Sequence, residues 1–211
     1  MNTINPTARE SPPVSKFELA ADAIVTGDAA ALNSLLCEDR ELIRERSTRV
    51  HRATLLHYVG ANGFEDYRQK IPNNVVEIAR ILLEAGAEVD AVADLYGKST
   101  TLGLVATSIH PKRASVQIAL MEILLDHGAA VDGIPEEKTP LIAALHNGRP
   151  EAAEFLARRV ARLDLEGAAG IGRLDVVESF FYEGGGLKAN ATRVQMEAGF
   201  VWACEYQTRN S

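Results

Sequence analysis

One segment of the chain occurs twice. VVEIARILLEAGAEVDA at residues 75–91 and ALMEILLDHGAAVDG at residues 119–133 share an ILL(E/D)xGAxVD core. In each copy apolar side chains recur at helical spacing, and a glycine follows them, the residue best suited to the left-handed backbone that ends a helix. A second kind of segment alternates with the first. Thr opens TLLHYVGANG at residue 54, TTLGLVATS at residue 100 and TPLIAALHNGRPEAAEFLA at residue 139, and the first of these reaches an Asn-Gly pair at its end, as the third does midway. ELAADAIVTGDAAALNSLL (18–36) and LEGAAGIGRLDVVESFF (165–181) follow one plan: a helix of small residues, a glycine, a second helix. Gly27, Gly63, Gly148 and Gly172 fall where the first helix must stop, and Gly86 and Gly128 where the second does. Ala20, Ala23, Ala143, Ala144, Ala168 and Ala169 let the first helix lie close to its neighbours, while the second supplies a Leu/Ile/Val stripe. One such pair cannot bury its own apolar face, whereas stacked pairs can. The pattern predicts a mainly α chain.

The motifs resemble those of ankyrin-repeat proteins. The carriers are Thr139-Pro140-Leu141, His57 in Thr54-Leu55-Leu56-His57, and the GAxVD turns at residues 86–90 and 128–132. The resemblance implies an ankyrin-repeat solenoid of stacked helix-turn-helix units with irregular inserts. It covers residues 17–206, about five units and an incomplete last one, between a disordered N-terminal tail (1–16) and a short C-terminal tail (207–211). Thr54, Thr100 and Thr139 are spaced more widely than the family period of about 33 residues. The surplus falls in FEDYRQKIPNN (64–74) and IHPKRAS (109–115), read as inserts at the edge opposite the turns and as a second candidate surface. After Arg159 the register shortens instead, so the projecting turn is largely deleted there. Residues 198–206 (AGFVWACEY) read as the first helix of a further unit with nothing to cover Phe200, Val201 and Trp202, so the array is expected to stop short or to self-associate through those three residues.

By the resemblance, function lies in protein recognition on a concave face made of first helices and turns. The implied partner-binding residues are Val50 and His51 on one turn, Leu95, Tyr96 and Lys98 on the next with Thr107 on its helix, and Glu136, Lys138 and His146 in the following unit. The expectation is a non-catalytic scaffold or adaptor for a protein partner of unknown identity. The alternative is a regulatory subunit, or part of a larger protein, whose enzymatic activity lies outside this chain.

Composition narrows the classes further. With 22 Lys and Arg against 29 Asp and Glu the formal charge is −7, which argues against a nucleic-acid partner. The longest uncharged run, residues 99–111, is too short to span a bilayer, and residues 1–16 lack the apolar region of a secretory signal, so no membrane partner and a cytoplasmic location are expected. Cys37 and Cys204 cannot form a disulfide framework or a four-ligand zinc site, and both read as small core residues. His51, His110, His127 and His146 belong to different segments and give no spaced metal pair. No catalytic, cofactor or metal residues are assigned. His57 reads as a structural residue of its turn. The basic run Arg40, Arg44, Arg46, Arg49 and Arg52 is interleaved with Glu38, Asp39, Glu41 and Glu45 and can be paired locally; its net-positive part, residues 46–52, and the cluster Arg158, Arg159 and Arg162 are alternative anion-binding patches.

Overall fold

The computed structural model describes residues 15–135 and 138–207. Glu136, nearly all of the N-terminal tail and residues 208–211 lie outside the described residues. The protein is mainly helical, with extended pairing among the described residues confined to the bridges Ala93 to Ser99 and Phe181 to Leu187. Its α-helices are α1 (Lys16–Thr26), α2 (Ala29–Glu38), α3 (Val75–Glu84), α4 (Thr101–Thr107), α5 (Ile109–Arg113), α6 (Gln117–Asp126), α7 (Pro140–His146), α8 (Pro150–Arg158), α9 (Leu165–Gly170), α10 (Leu174–Ser179) and α11 (Arg193–Gln207). Three 3-10 helices, Arg40–Arg44, Leu55–Gly60 and Asp66–Arg68, lie between α2 and α3. The helical part therefore reaches one residue beyond the expected tail boundary at each end. Lys16 is already helical, with the Ser15 hydroxyl accepting from the Glu18 N–H, and α11 ends at Gln207.

Neighbouring elements pack in a regular order. α1 packs on α2 and on Leu55–Gly60; Leu55–Gly60 packs on α3 and α4; α4 on α6 and α7; α7 on α8 and α9; α9 on α10 and α11. The second helices also meet in turn, α2 with α3, α3 with α6, and α6 with α8. The small residues of the first helices serve this close approach. A Cβ at Gly170 would stand 2.5 Å from Leu145 Cδ1, and one at Gly60 would stand 3.2 Å from Leu104 Cβ.

Helix ends repeat as well. In the twice-occurring segment, Gly86 N–H donates to Leu83 O and Ala87 N–H to Leu82 O; Gly128 and Ala129 make the same pair to Leu125 O and Leu124 O. Leu82 and Leu124 are fully buried, each stabilising by about 1.5–3 kcal/mol relative to exposure. The closing aspartates reach the next segment. Asp90 accepts from the Ala130 N–H at 3.1 and 3.0 Å, and Asp132 from the Arg162 N–H at 2.8 Å.

That second contact reveals a third copy hidden in the sequence. In VARLD (160–164) Val160 N–H donates to Ala157 O, Ala161 N–H to Leu156 O, and Leu156 is fully buried. Val160 stands at the position of Gly86 and Gly128, and has their left-handed conformation, with φ +69°. Asp164, in the place of Asp132, accepts from the Gly167 N–H and starts α9 at once. The shortened register is thus a turn reduced to one capping residue.

A β-branched residue at positive φ is strained, and the Val160 side chain, 85% exposed, recovers little by packing. Val160→Gly is expected to stabilise the chain by about 0.5–1 kcal/mol, the relief of strain exceeding the added freedom of the unfolded chain. Urea denaturation measures it, and a loss of stability would show that Val160 packs in a way its exposure conceals.

Several sequence expectations need correction. Cys37 and Cys204 are exposed, not core residues. Residues 109–113 form a short helix, α5, whose Ser108 cap accepts from the His110 N–H. The C-terminal helix begins at Arg193, five residues ahead of the expected start. It lies on α9, where a Cβ at Gly199 would stand 2.9 Å from that of Ala169. Trp202 is half-buried and Tyr206 buried against this surface, while Phe200 and Val201 are 71% and 52% exposed. The three residues read as one uncovered face are therefore divided between two environments.

Candidate functional site

A groove of about 540 Å³ opens where three successive segments meet. Its most prominent wall is the turn at 94–98. Asp94 N–H donates to His51 O at 2.7 Å, and the bridge between Ala93 and Ser99 closes the base of the turn. Tyr96 and Gly97 follow in left-handed conformations, φ +50° and +98°. Left-handed backbone at a tyrosine costs energy and persists only where surrounding contacts hold it. Here Tyr96 Oη donates to Asn62 Oδ1 at 2.9 Å, and Asn62 Nδ2 donates to Leu104 O and Thr107 Oγ1. Gly63 lies under the ring, where a Cβ would come within 3.1 Å of Tyr96 Cε2. The Tyr96 ring is thereby fixed while remaining 75% exposed.

The opposite wall comes from α7 and the residues on either side of it. Lys138, Ala143, His146, Asn147 and Arg149 face the groove, with Ile109 and His110 of α5 beside them. His146 Nε2 stands 2.6 Å from Glu166 Oε1, which also accepts from Trp202 Nε1 at 2.9 Å. Glu166 thus ties α7 to α9 and α11. Tyr206 Oη donates to Leu145 O in the same place.

Arg149 donates from Nε to Ser108 O and from Nη1 to Asn147 O and Gly148 O. Burial holds its guanidinium below the ordinary value, and Arg113 acts in the same sense; an arginine nevertheless stays cationic. Lys98 pairs with Asp94, whose exposed carboxyl is held below its usual range by that lysine.

Five of the sequence-derived contact residues, Tyr96, Lys98, Thr107, Lys138 and His146, line this one groove. Val50 is 93% exposed but stands outside it. His51 and Leu95 are only 6% and 7% exposed, so neither offers a side-chain surface. The His51 ring packs edge-on to Tyr58 and Phe64, accepts from the Ala53 N–H at Nδ1, and meets Glu65 at Nε2. Its part in the site is the backbone carbonyl that holds the 94–98 turn.

The two inserts, expected at the opposite edge, each reach the groove. Gln69 from the first, and Ile109 and His110 from the second, line the same groove as the turn. Asn62 and Asn147 were also missed. Each directly precedes a glycine of positive φ, a shared Asn-Gly signal that sequence reading used only as punctuation. The two arginine patches are partly paired internally, while Arg52, Arg158 and Arg162 are exposed. Arg46 donates to Arg52 O and Val92 O, Arg49 pairs with Glu18 and Glu65, and Arg159 with Asp126.

The hydroxyls of Ser99, Thr107 and Ser108 donate to Leu95 O, Gly103 O and Ala61 O rather than to a base. Among the described residues no group of three or more His, Cys, Asp or Glu side chains is placed to hold a metal ion, and no helix is long and apolar enough to cross a membrane. No protein-family model and no curated protein match the chain.

Proposed function

We propose that this chain is an ankyrin-like solenoid that works as a non-catalytic binding module, taking up a segment of another protein along the groove between Tyr96 and His146. The observation that carries the reading is the convergence on one groove of five residues from two turns and two helices. The solenoid reading is supported by the ordered packing of successive helix pairs and by the repeated aspartate contacts from one segment to the next. In such an architecture each pair touches only its neighbours, and the first helices with their turns supply a long binding surface. A fixed, exposed aromatic ring beside polar side chains suits the anchor-and-rim organisation of protein interfaces.

Site-specific photocrosslinking tests the proposal. With a crosslinking amino acid at Tyr96, expressed in cells that natively make the chain, a discrete adduct is expected, at least roughly tenfold more abundant than with the same group at Glu84 on α3. Equal adducts at both positions, or none at Tyr96, would remove the groove as the binding surface.

A further inference from the structure

The chain carries a formal charge of −7, yet the charged side chains among the described residues lining the groove, Lys98, Lys138 and Arg149, are all cationic, and His110 and His146 add imidazoles. We infer that the groove takes an extended, acidic segment of a partner protein, with its carboxylates over Lys98 and Lys138 and a neighbouring side chain against the Tyr96 ring. The inference rests on the binding-module reading above and adds the chemistry of the occupant.

Three features support it. Local positive charge on an acidic protein is the complement that steers and selects an acidic segment. Arg149 is fixed by three backbone carbonyls rather than by a carboxylate, so its charge stays at the groove wall. Among the described residues Lys98 is held by Asp94 alone, and an exposed pair of that kind is readily exchanged for an incoming carboxylate.

Dimensions decide the conformation. The lining residues come from three successive segments, and helices packed about 8–10 Å apart give a run of roughly 20 Å. An extended segment covers that distance with about six residues. A helix about 10 Å across could present only one face to an open groove, whereas an extended segment lays its backbone along it. A nucleic acid is disfavoured, because only three lining cations would oppose the repulsion of the rest of the chain.

A random dodecapeptide library displayed on phage, selected on the full chain, tests this. Enriched peptides are then made with a fluorescein label and titrated by anisotropy, with a twelve-residue oligo-dT as a competitor. The expected peptides carry two or more Asp or Glu within six residues. They should bind at least tenfold more weakly to the Lys98→Gln/Lys138→Gln variant, whose thermal midpoint should match wild type, and more weakly as NaCl rises from 50 to 300 mM. Neutral or basic peptides, or acidic ones indifferent to the variant, would overturn the inference. So would displacement by oligo-dT at lower concentration than an unlabelled copy of the peptide, which would point to nucleic acid. Neutral peptides that lose binding on Tyr96→Ala would sink the acidic inference alone. Absence of any peptide sensitive to Tyr96→Ala or to the lysine changes would count against the binding-module reading too.

Discussion

Replacing Arg68 with alanine is expected to remove about 3–5 kcal/mol of folding stability, the range for taking one partner from a buried ion pair. Arg68 is 2% exposed and comes from the insert at 64–74, a segment whose residue types suggest a solvated loop. Its Nε donates to Asp22 Oδ1 at 2.8 Å, Nη1 to Glu18 Oε2 at 2.6 Å, and Nη2 to Glu18 O at 3.2 Å. The guanidinium also lies against the rings of Tyr58 and Tyr67. Burial alone would lower its pKa, but the bonds to Asp22 and Glu18 outweigh burial and hold it above the ordinary value. Glu18 responds in kind: burial works to raise its pKa, and the bonds from Arg49 and Arg68 hold it below the usual range. Alanine would leave Glu18 and Glu65, both mostly buried, close together with the exposed Arg49 as the cation they share. Asp22 is half-exposed and contributes less. Urea denaturation at neutral pH reads the total. Arg68→Met, which keeps the packing over the rings, should recover part of the loss if Glu18→Gln accompanies it. A cost below about 1 kcal/mol for Arg68→Ala would mean that water already satisfies the carboxylates. The consequence extends to the groove, because the 3-10 turn Asp66–Arg68 positions Gln69, which donates to Phe64 O.

Arg68 also marks where sequence reading stops. The helix stripes and the glycines that end them depend on residues within one or two turns of each other, so α3, α6, α7 and α8 were legible from spacing. Long-range partners were not. Nothing in FEDYRQKIPNN says that its arginine is buried against carboxylates on α1, some fifty positions earlier. The third copy of the repeated segment escaped because Val160 occupies a position that calls for glycine, and identity-based comparison gives no credit for a strained valine. In the candidate groove, register places Tyr96 and Lys98 on the turn that lines it. The inserts were sent to the opposite edge because their spacing fixes where extra residues enter the chain, not where they fold. His51 and Leu95 fail for a related reason: register assigns a residue to a turn, but only packing decides which residues of that turn point inward.

Acid is expected to destabilise the chain through His57, independently of its carboxylates. His57 is fully buried in the 3-10 helix Leu55–Gly60, and its Nδ1 accepts from the Thr54 N–H at 3.1 Å with Thr54 Oγ1 at 2.8 Å. Among the described residues buried Nε2 has no partner in good hydrogen-bond geometry. Desolvation pushes the imidazole down to about 4; nearby carbonyls of Ser99 and Ala91 pull weakly the other way, and Arg46 adds to the lowering. The folded state therefore favours the neutral ring, whereas the unfolded chain titrates near the ordinary value of 6.5. Stability from this group is complete above about pH 6.5 and is lost as pH falls toward 4, amounting to roughly 2.5 kcal/mol by pH 4.5. Protonation also turns Nδ1 from acceptor to donor, so the Thr54 N–H loses its partner. Urea midpoints between pH 7.5 and 4.5 should fall more steeply for wild type than for His57→Gln, which lacks a titratable group at this position. Parallel slopes would show that the ring does not titrate in this range and that carboxylates account for all acid sensitivity. The helix that carries His57 leads within five residues to Asn62, the anchor of Tyr96. Loosening it is therefore expected to weaken peptide binding in the groove over the same pH interval, and by more in wild type than in His57→Gln, where protonation of the peptide's own carboxylates still acts.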